Sequence, residues 1–290
     1  MFKRKLYIIW GLLFSLLLLF ISGCNYQQKS INADGKIIVA VTILPQKAFV
    51  EAVCGDLVDV ATIVPPGYSP GNYEPTPLEM SKFSEASVYF TIGVPAESTN
   101  ILPKIKNMKI VDLAANITQV YPDREFSFGK RDPHIWLSPK RAKIMIKTIT
   151  ETMISIDTKN AQTYQENSKV FLEELDRVDL KIKETFSKSK NKEFIVFHPT
   201  YGYFADDFGL KMHALEQDGK ECSPQHLQKV IDIAKDKGIK IIFSQLEIDS
   251  KQPDAFAEEI GGEKIILEPL SEDYISNLEY MCKAISEAMK

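Results

Sequence analysis

The chain has 290 residues, of which 44% are hydrophobic and 26% are charged, so it is long enough for about two domains that each bury a core. This composition excludes a disordered chain. The 35 basic and 39 acidic residues leave a formal net charge of −4. Because a nucleic acid is a polyanion, this charge gives no reason to expect one as a partner.

The first 23 residues differ from the rest of the chain. Three basic residues occupy positions 3–5, and an apolar run follows over residues 6–22. About 20 apolar residues could also form a permanent membrane span, but small residues directly precede Cys24, as in a bacterial lipoprotein signal. We predict that residues 1–23 are a signal peptide that is removed, that Cys24 carries the lipid anchor, and that residues 24–35 are a tether.

The next part of the chain, residues 36–157, is predicted to form an N-terminal α/β lobe. A β-branched apolar run over residues 36–43 is typical of a strand buried on both faces, and helical spacing follows it. Ser138 is a good N-cap and Pro139 suits the first position of a helix, so a helix is expected to begin there. Further elements are strands at 58–64, 88–92 and 109–112, a helix at 78–84, and loops at 65–77 and 133–139.

Residues 158–187 contain no glycine or proline and repeat apolar side chains at helical spacing. At 1.5 Å per residue, a helix of this length would extend roughly 45 Å and could bridge two lobes. Residues 188–290 then repeat the alternation of strands and helices. Strands are predicted at 193–197, 212–215, 239–243 and 264–267, and helices at 201–208, 224–237, 253–260 and 274–289. The fold class is therefore α/β, with two similar lobes of mainly parallel sheet, one long rigid bridging helix, and a ligand cleft between the lobes.

Polar residues that directly follow strands are the first candidates for a binding site, because open α/β sheets bind ligands at the carboxyl ends of their strands. His198 and Glu268 each follow a predicted strand, and His134 and Glu74 lie in the two loops of the N-terminal lobe. Two imidazoles and a carboxylate suit a divalent cation such as zinc, manganese or iron. The two other histidines lie in a predicted strand and a predicted helix, and we interpret His213 and His226 as surface or packing residues.

Motifs of common enzymes are missing from the sequence, which has no His-Glu-x-x-His, no Gly-x-Ser-x-Gly and no glycine-rich phosphate loop. A metallohydrolase that uses His134 and His198 remains an alternative. Cys54, Cys222 and Cys282 show no CxxC or CxH spacing. We interpret them as small semi-buried residues, although two of them could pair in an exported protein.

Four stretches of the chain resemble the extracytoplasmic binding proteins and lipoproteins that deliver zinc or manganese to ABC importers. The stretches are VPPGYSPGNYEPTP (64–77), DPHIWLSP (132–139), HPTYGYF (198–204) and LEPL (267–270). The resemblance extends over residues 36–290 and implies two α/β lobes bridged by one rigid helix. It also implies a monomeric, non-enzymatic protein held at the cell membrane, with a permease and its ATPase as partners.

The resemblance implies His134, His198 and Glu268 as metal ligands, but the chain departs from the family pattern. Gly71 stands where members usually have a ligand histidine, and Glu268 stands where they usually have aspartate. Residues 120–131 also lack the histidine-rich loop of many zinc-specific members.

Three interpretations follow from these departures. Water could complete a site of three protein ligands, or an accessory donor could replace the lost imidazole, with Asn72 or Glu74 as candidates and Gln245 as a weak one. Alternatively, the scaffold could bind another small ligand or act as a surface adhesion protein.

Overall fold

The computed structural model describes residues 30–127, 129–217 and 219–289. The predicted signal peptide over residues 1–23, the predicted lipid attachment at Cys24 and most of the predicted tether over residues 24–35 lie outside this part of the chain. In the described ranges, no helix is both long enough and apolar enough to cross a membrane.

The N-terminal lobe is built on a four-stranded parallel sheet in the order β2-β1-β3-β4. Its central residues Val39, Ala40 and Val41 have no exposed surface, because helices and loops cover both faces of the sheet. The elements are β1 (Ile37–Val41), α1 (Leu44–Cys54), β2 (Val58–Thr62), α2 (Pro77–Phe83), β3 (Val88–Thr91) and β4 (Lys109–Asp112).

A short hairpin and two helices connect the lobes. The hairpin strands are antiparallel and comprise β5 (Glu125–Ser127) and β6 (Lys130–Arg131). Helix α3 (Pro139–Ile156) begins at the predicted cap, since the Ser138 side chain accepts a hydrogen bond from the Arg141 amide. A 3-10 turn over Thr158–Asn160 then leads into the long helix α4 (Ala161–Ser187).

The C-terminal lobe repeats the topology of the first. Its parallel sheet has the order β10-β9-β7-β8. If the strands of each lobe are counted in chain order, both sheets have the order 2-1-3-4, so the two lobes are similar in architecture. The elements are β7 (Glu193–Val196), α5 (Gly202–Phe208), β8 (Lys211–Ala214), α6 (Pro224–Lys237), β9 (Ile241–Ser244), α7 (Gln252–Glu259), β10 (Glu263–Ile266) and α8 (Tyr274–Ala288).

Buried contacts hold the two lobes together. One hydrophobic cluster takes in strands of both sheets and the inner face of α4. The Trp136 indole N–H donates to the Pro269 carbonyl at 2.8 Å, and the Tyr274 hydroxyl donates to the Trp136 carbonyl. Arg141 Nη1 lies 2.9 Å from an Asp207 carboxylate oxygen. Because close-packed interiors do not deform continuously, we expect only small relative movements of the lobes.

The predicted fold class is confirmed, and the differences are local. The β5–β6 hairpin was not predicted, because its strands are short and largely exposed and therefore lack an apolar alternation. Strand and helix ends differ from the predictions by one or two residues at most positions. The described cysteines, Cys54, Cys222 and Cys282, form no disulfide and are more buried than the semi-buried positions expected from the sequence.

Candidate metal site

A cleft of about 880 Å³ opens between the lobes and is lined by residues of both. The N-terminal lobe contributes His134 and the loop that contains Gly71, whereas the C-terminal lobe contributes His198 and Gln245. Each of these C-terminal residues lies just beyond the carboxyl end of a parallel strand, as open α/β folds predict for a binding site.

His134 is held in one orientation by its own loop. Its ring is buried, with 8% of the residue exposed, and Nδ1 lies 2.7 Å from Oδ1 of Asp132, which also accepts the His134 backbone N–H at 2.9 Å. An ionised carboxylate can only accept hydrogen bonds, so Nδ1 carries the proton and Nε2 keeps its lone pair. This is the arrangement that orients histidine ligands in metal sites.

Arg124 of the same lobe pairs with the Asp132 carboxylate, and the C-terminal lobe packs against both groups. Arg124 Nε lies 3.4 Å from Oδ2 of Asp132. Both side chains lie against the backbone of Gly202 at the start of α5. A Cβ at Gly202 would lie 2.1 Å from Arg124 Nε and 2.8 Å from Oδ2 of Asp132. Only glycine permits this approach, which explains its position shortly after His198.

His198 has a matching partner in its own lobe. Its Nδ1 lies 2.8 Å from Oε1 of Glu216, a mostly buried carboxylate that follows β8. The rings of His198 and His134 are 5.2 Å apart between centroids and tilted by 77°. The structure therefore brings together the two predicted imidazoles, each with a carboxylate on Nδ1.

The environment of His134 favours the neutral form of its ring. Burial is the main reason why the pKa of His134 lies below its ordinary value, and the neighbouring His198 lowers it further. The Asp132 carboxylate opposes this effect but does not overcome it. Because metal ions bind the neutral imidazole, protons compete with a metal at His134 only below the usual histidine range.

The acidic side chains are arranged differently from the sequence prediction. Glu268 is exposed and does not line the cleft, and its backbone carbonyl accepts a hydrogen bond from Asn277 Nδ2 at 2.8 Å. Glu247 lines the cleft instead, with Oε2 buried and without a hydrogen bond. Burial and then the charge of Glu268 raise the pKa of Glu247, while His198 lowers it.

The three accessory candidates also differ in position. Asn72 and Gln245 line the cleft, and Gln245 Nε2 donates to the Thr200 hydroxyl. Glu74 is exposed outside the cleft wall and lies 3.7 Å from Lys104 Nζ. Gly71 lines the cleft and, as expected, offers no donor side chain.

The two histidines outside the predicted site also differ from each other. His213 lies 2.7 Å from Glu193 on the C-terminal sheet, away from the cleft. His226 lines the cleft, so its interpretation as a surface or packing residue was incomplete. Its Nε2 forms a hydrogen bond of 2.8 Å with the Ala214 carbonyl oxygen. In the part of the chain that the structure describes, no group of three or more histidine, cysteine, aspartate or glutamate side chains is arranged to hold a metal ion.

Sequence reasoning missed Glu216 and Glu247, although the rule that identified His198 could have found both. Glu216 lies two residues after β8 and Glu247 three residues after β9. Polar residues at such positions face the cleft as His198 does. Sequence alone gave no way to pair Glu216 with His198, because that contact joins the ends of two neighbouring strands.

Comparison with known proteins agrees with the fold. The ZnuA family model, described as zinc-uptake complex component A, periplasmic, matches residues 39–288. A putative metal-binding protein of Chlamydia muridarum is 31% identical over 277 residues, which cover 94% of this chain and 98% of that protein. The high-affinity zinc uptake system protein ZnuA of Bacillus subtilis is 28% identical to this chain, and the aligned region covers 93% of this chain and 90% of that protein. A crystal structure of ZnuA matches with a TM-score of 0.83 at 35% identity and covers 88% of this chain and 100% of that one.

Proposed function

This chain belongs to the ZnuA family of zinc-uptake components, and on that premise we propose that it captures zinc or manganese between its lobes and delivers the ion to an ABC importer. In this proposal the protein is a monomeric binding protein and not an enzyme. Cys24 anchors it to the outer face of the bacterial cell membrane by a lipid, and its partners are a permease and its ATPase. The proposed lobes comprise residues 36–157 and 188–290, and the proposed bridge comprises residues 158–187, of which Ala161–Ser187 form the helix α4.

One observation carries the metal-binding part of the proposal. His134 and His198 come from different lobes, their rings lie 5.2 Å apart, and a carboxylate on each Nδ1 leaves each Nε2 available to a metal. Carboxylate–histidine pairs of this kind orient metal ligands and increase their basicity. Two such pairs that meet in one cleft support a cation as the ligand.

The third ligand in the proposal is an acid from the C-terminal lobe. Glu268 is the candidate from the family pattern, and its exposed side chain would have to turn into the cleft to reach the metal. Glu247 already lines the cleft and has an unpaired carboxylate oxygen. Comparing Glu268→Gln with Glu247→Gln in zinc titrations identifies the ligand, because only the variant that lacks it should bind zinc at least tenfold more weakly.

Calorimetric titration of the full chain with zinc and with manganese tests the proposal. His134→Ala should abolish binding of the metal without unfolding the protein, because it removes the imidazole but leaves the lobe contacts intact. His213→Gln is the matched control, since His213 lies outside the cleft, and it should bind as the original chain does. Unchanged affinity in His134→Ala would reject the site. If neither metal binds the original chain more tightly than the micromolar range, metal capture itself is wrong.

The lipid anchor has a separate test. Cys24→Ser removes the sulfur to which the lipid would attach, so the protein should no longer incorporate a labelled fatty acid in growing cells. Equal incorporation by Cys24→Ser and the original chain would contradict attachment at this residue.

A further inference from the structure

The hydroxyl group of Tyr201 is buried without a partner close to the candidate metal site. Tyr201 is the third residue after His198, and only 1% of its surface is exposed. Its hydroxyl oxygen makes no hydrogen bond to any residue that the structure describes. Buried polar atoms are nearly always hydrogen-bonded, and a buried hydroxyl without a partner is destabilising. This hydroxyl therefore needs a functional explanation.

Glu247 has a carboxylate oxygen in the same condition, since among the described residues nothing bonds to its buried Oε2. The two residues lie on neighbouring loops, because β7 and β9 pair in parallel and the loops follow their carboxyl ends. Gln245 Nε2 joins these loops by donating to the Thr200 hydroxyl. Burial and then the charge of Glu247 raise the pKa of Tyr201. The hydroxyl and the carboxylate are therefore within electrostatic reach of each other.

The Glu247 carboxylate is also within reach of a predicted metal ligand. Burial and then the charge of Glu268 raise the pKa of Glu247, while the nearby His198 lowers it. A divalent cation bound at His198 would therefore attract this carboxylate. Carboxylates that bind metal ions are normally hydrogen-bonded in turn, and a tyrosine O–H can donate such a bond. Tyr201 supplies a donor of this kind that has no other use among the described residues.

We propose that Tyr201 is a positioning residue whose hydroxyl donates a hydrogen bond to Glu247 when that carboxylate binds the metal. One carboxylate oxygen then binds the ion held by His134 and His198, and the other accepts from Tyr201. The two groups do not form this bond in the structure, so the half-buried Glu247 side chain must rotate to make it. The inference rests on the proposed metal capture and selects Glu247 over Glu268 as its acidic ligand.

Zinc titration of Tyr201→Phe in the full chain, by competition with a fluorescent zinc chelator, tests the proposal. The substitution removes only the hydroxyl and keeps the ring, which packs in a large hydrophobic cluster. We expect zinc to bind about tenfold more weakly. Without zinc, urea should unfold the variant at no lower concentration than the original chain, because the hydroxyl has no hydrogen bond to lose.

Tyr164→Phe is the matched control for this substitution. The Tyr164 hydroxyl is also buried, but it donates to Asp157 at 2.9 Å and lies outside the cleft wall. This variant should therefore unfold at a lower urea concentration and bind zinc as the original chain does. The two variants should thus show opposite patterns, which a purely structural role of Tyr201 would not produce.

A double-mutant cycle with Glu247→Ala decides whether Tyr201 acts through Glu247. Tyr201→Phe should cause no further loss of zinc affinity when Glu247 is already absent. An equal loss in both backgrounds would overturn the proposal, as would unchanged affinity in Tyr201→Phe alone. If Glu247→Ala binds zinc as tightly as the original chain, the proposal is wrong and metal capture stands. If the original chain does not bind zinc, metal capture itself fails and this inference fails with it.

Discussion

The two lobes share one topology but hold their histidines in different ways. His198 depends only on the C-terminal lobe, because Glu216 at the end of the neighbouring strand fixes its ring. His134 is fixed by Asp132 of its own loop, and that loop is held by the opposite lobe. The Tyr203 hydroxyl of α5 donates to the Asp132 carbonyl at 3.1 Å and accepts from the Arg124 amide at 2.9 Å.

The position of His198 is therefore set within the C-terminal lobe, whereas the position of His134 depends on the contact between the lobes. A change in the lobe contact should therefore disturb His134 more than His198. The following predictions test this asymmetry.

The largest expected effect comes from Gly202→Ala. Its methyl group would overlap Arg124 and the Asp132 carboxylate, so we expect the free energy of unfolding to fall by about 1–3 kcal/mol and zinc binding to weaken with it. Urea denaturation measures the first effect and zinc titration the second. Gly71→Ala is the matched control, because its Cβ would meet only Ser69 Oγ at 3.3 Å. Equal stability of the two variants would show that the lobe contact does not constrain the loop.

The next largest effect is expected from the carboxylates behind the two imidazoles. Asp132→Asn and Glu216→Gln should each weaken zinc binding by about 10–100-fold. Asp132→Asn should have the larger effect, because Asp132 is fully buried and paired with Arg124, whereas Glu216 is 10% exposed at its side chain. Competition against a fluorescent zinc chelator measures both affinities. A larger loss in Glu216→Gln would reverse the proposed asymmetry.

Gly71→His should strengthen zinc binding, whereas the preceding variants should weaken it. It restores an imidazole at a position that lines the cleft, and its backbone needs no left-handed conformation. We expect zinc to bind about tenfold more tightly, as measured by the same competition. Gly71→Ala adds a side chain without a donor and should leave the affinity unchanged. If both variants behave alike, position 71 does not face the metal.

The smallest effect concerns pH. The pKa of His134 in the folded protein lies below its ordinary value of about 6.5, chiefly because the ring is buried. Below pH 6.5 the unfolded chain therefore binds a proton that the folded chain does not. The free energy of unfolding should fall as the pH drops from 6.5 towards the lowered pKa, and this contribution should be constant above 6.5. Urea denaturation at several pH values should show a weaker decline in His134→Asn, and an identical decline would contradict the assignment.

Much of the fold could be predicted, because it depends on local patterns. The buried strand at residues 36–43, the cap at Ser138 and the uninterrupted helix over residues 158–187 each follow from periodicity or from the chemistry of one residue. The β5–β6 hairpin could not be predicted, since its strands are short and largely exposed and therefore show no alternation of apolar and polar residues. That hairpin carries Phe126 and Arg131, which line one wall of the cleft.

For the site, the sequence by itself determined which groups are available: His134 in a loop of the N-terminal lobe, His198 after a predicted strand, and a glycine at position 71 where a donor was expected. Only the tertiary structure decided how these groups are used. It paired His198 with Glu216, placed Glu247 in the cleft and left Glu268 exposed. Periodicity specifies which residues follow a strand, but the direction of their side chains depends on contacts with segments that are distant in the chain.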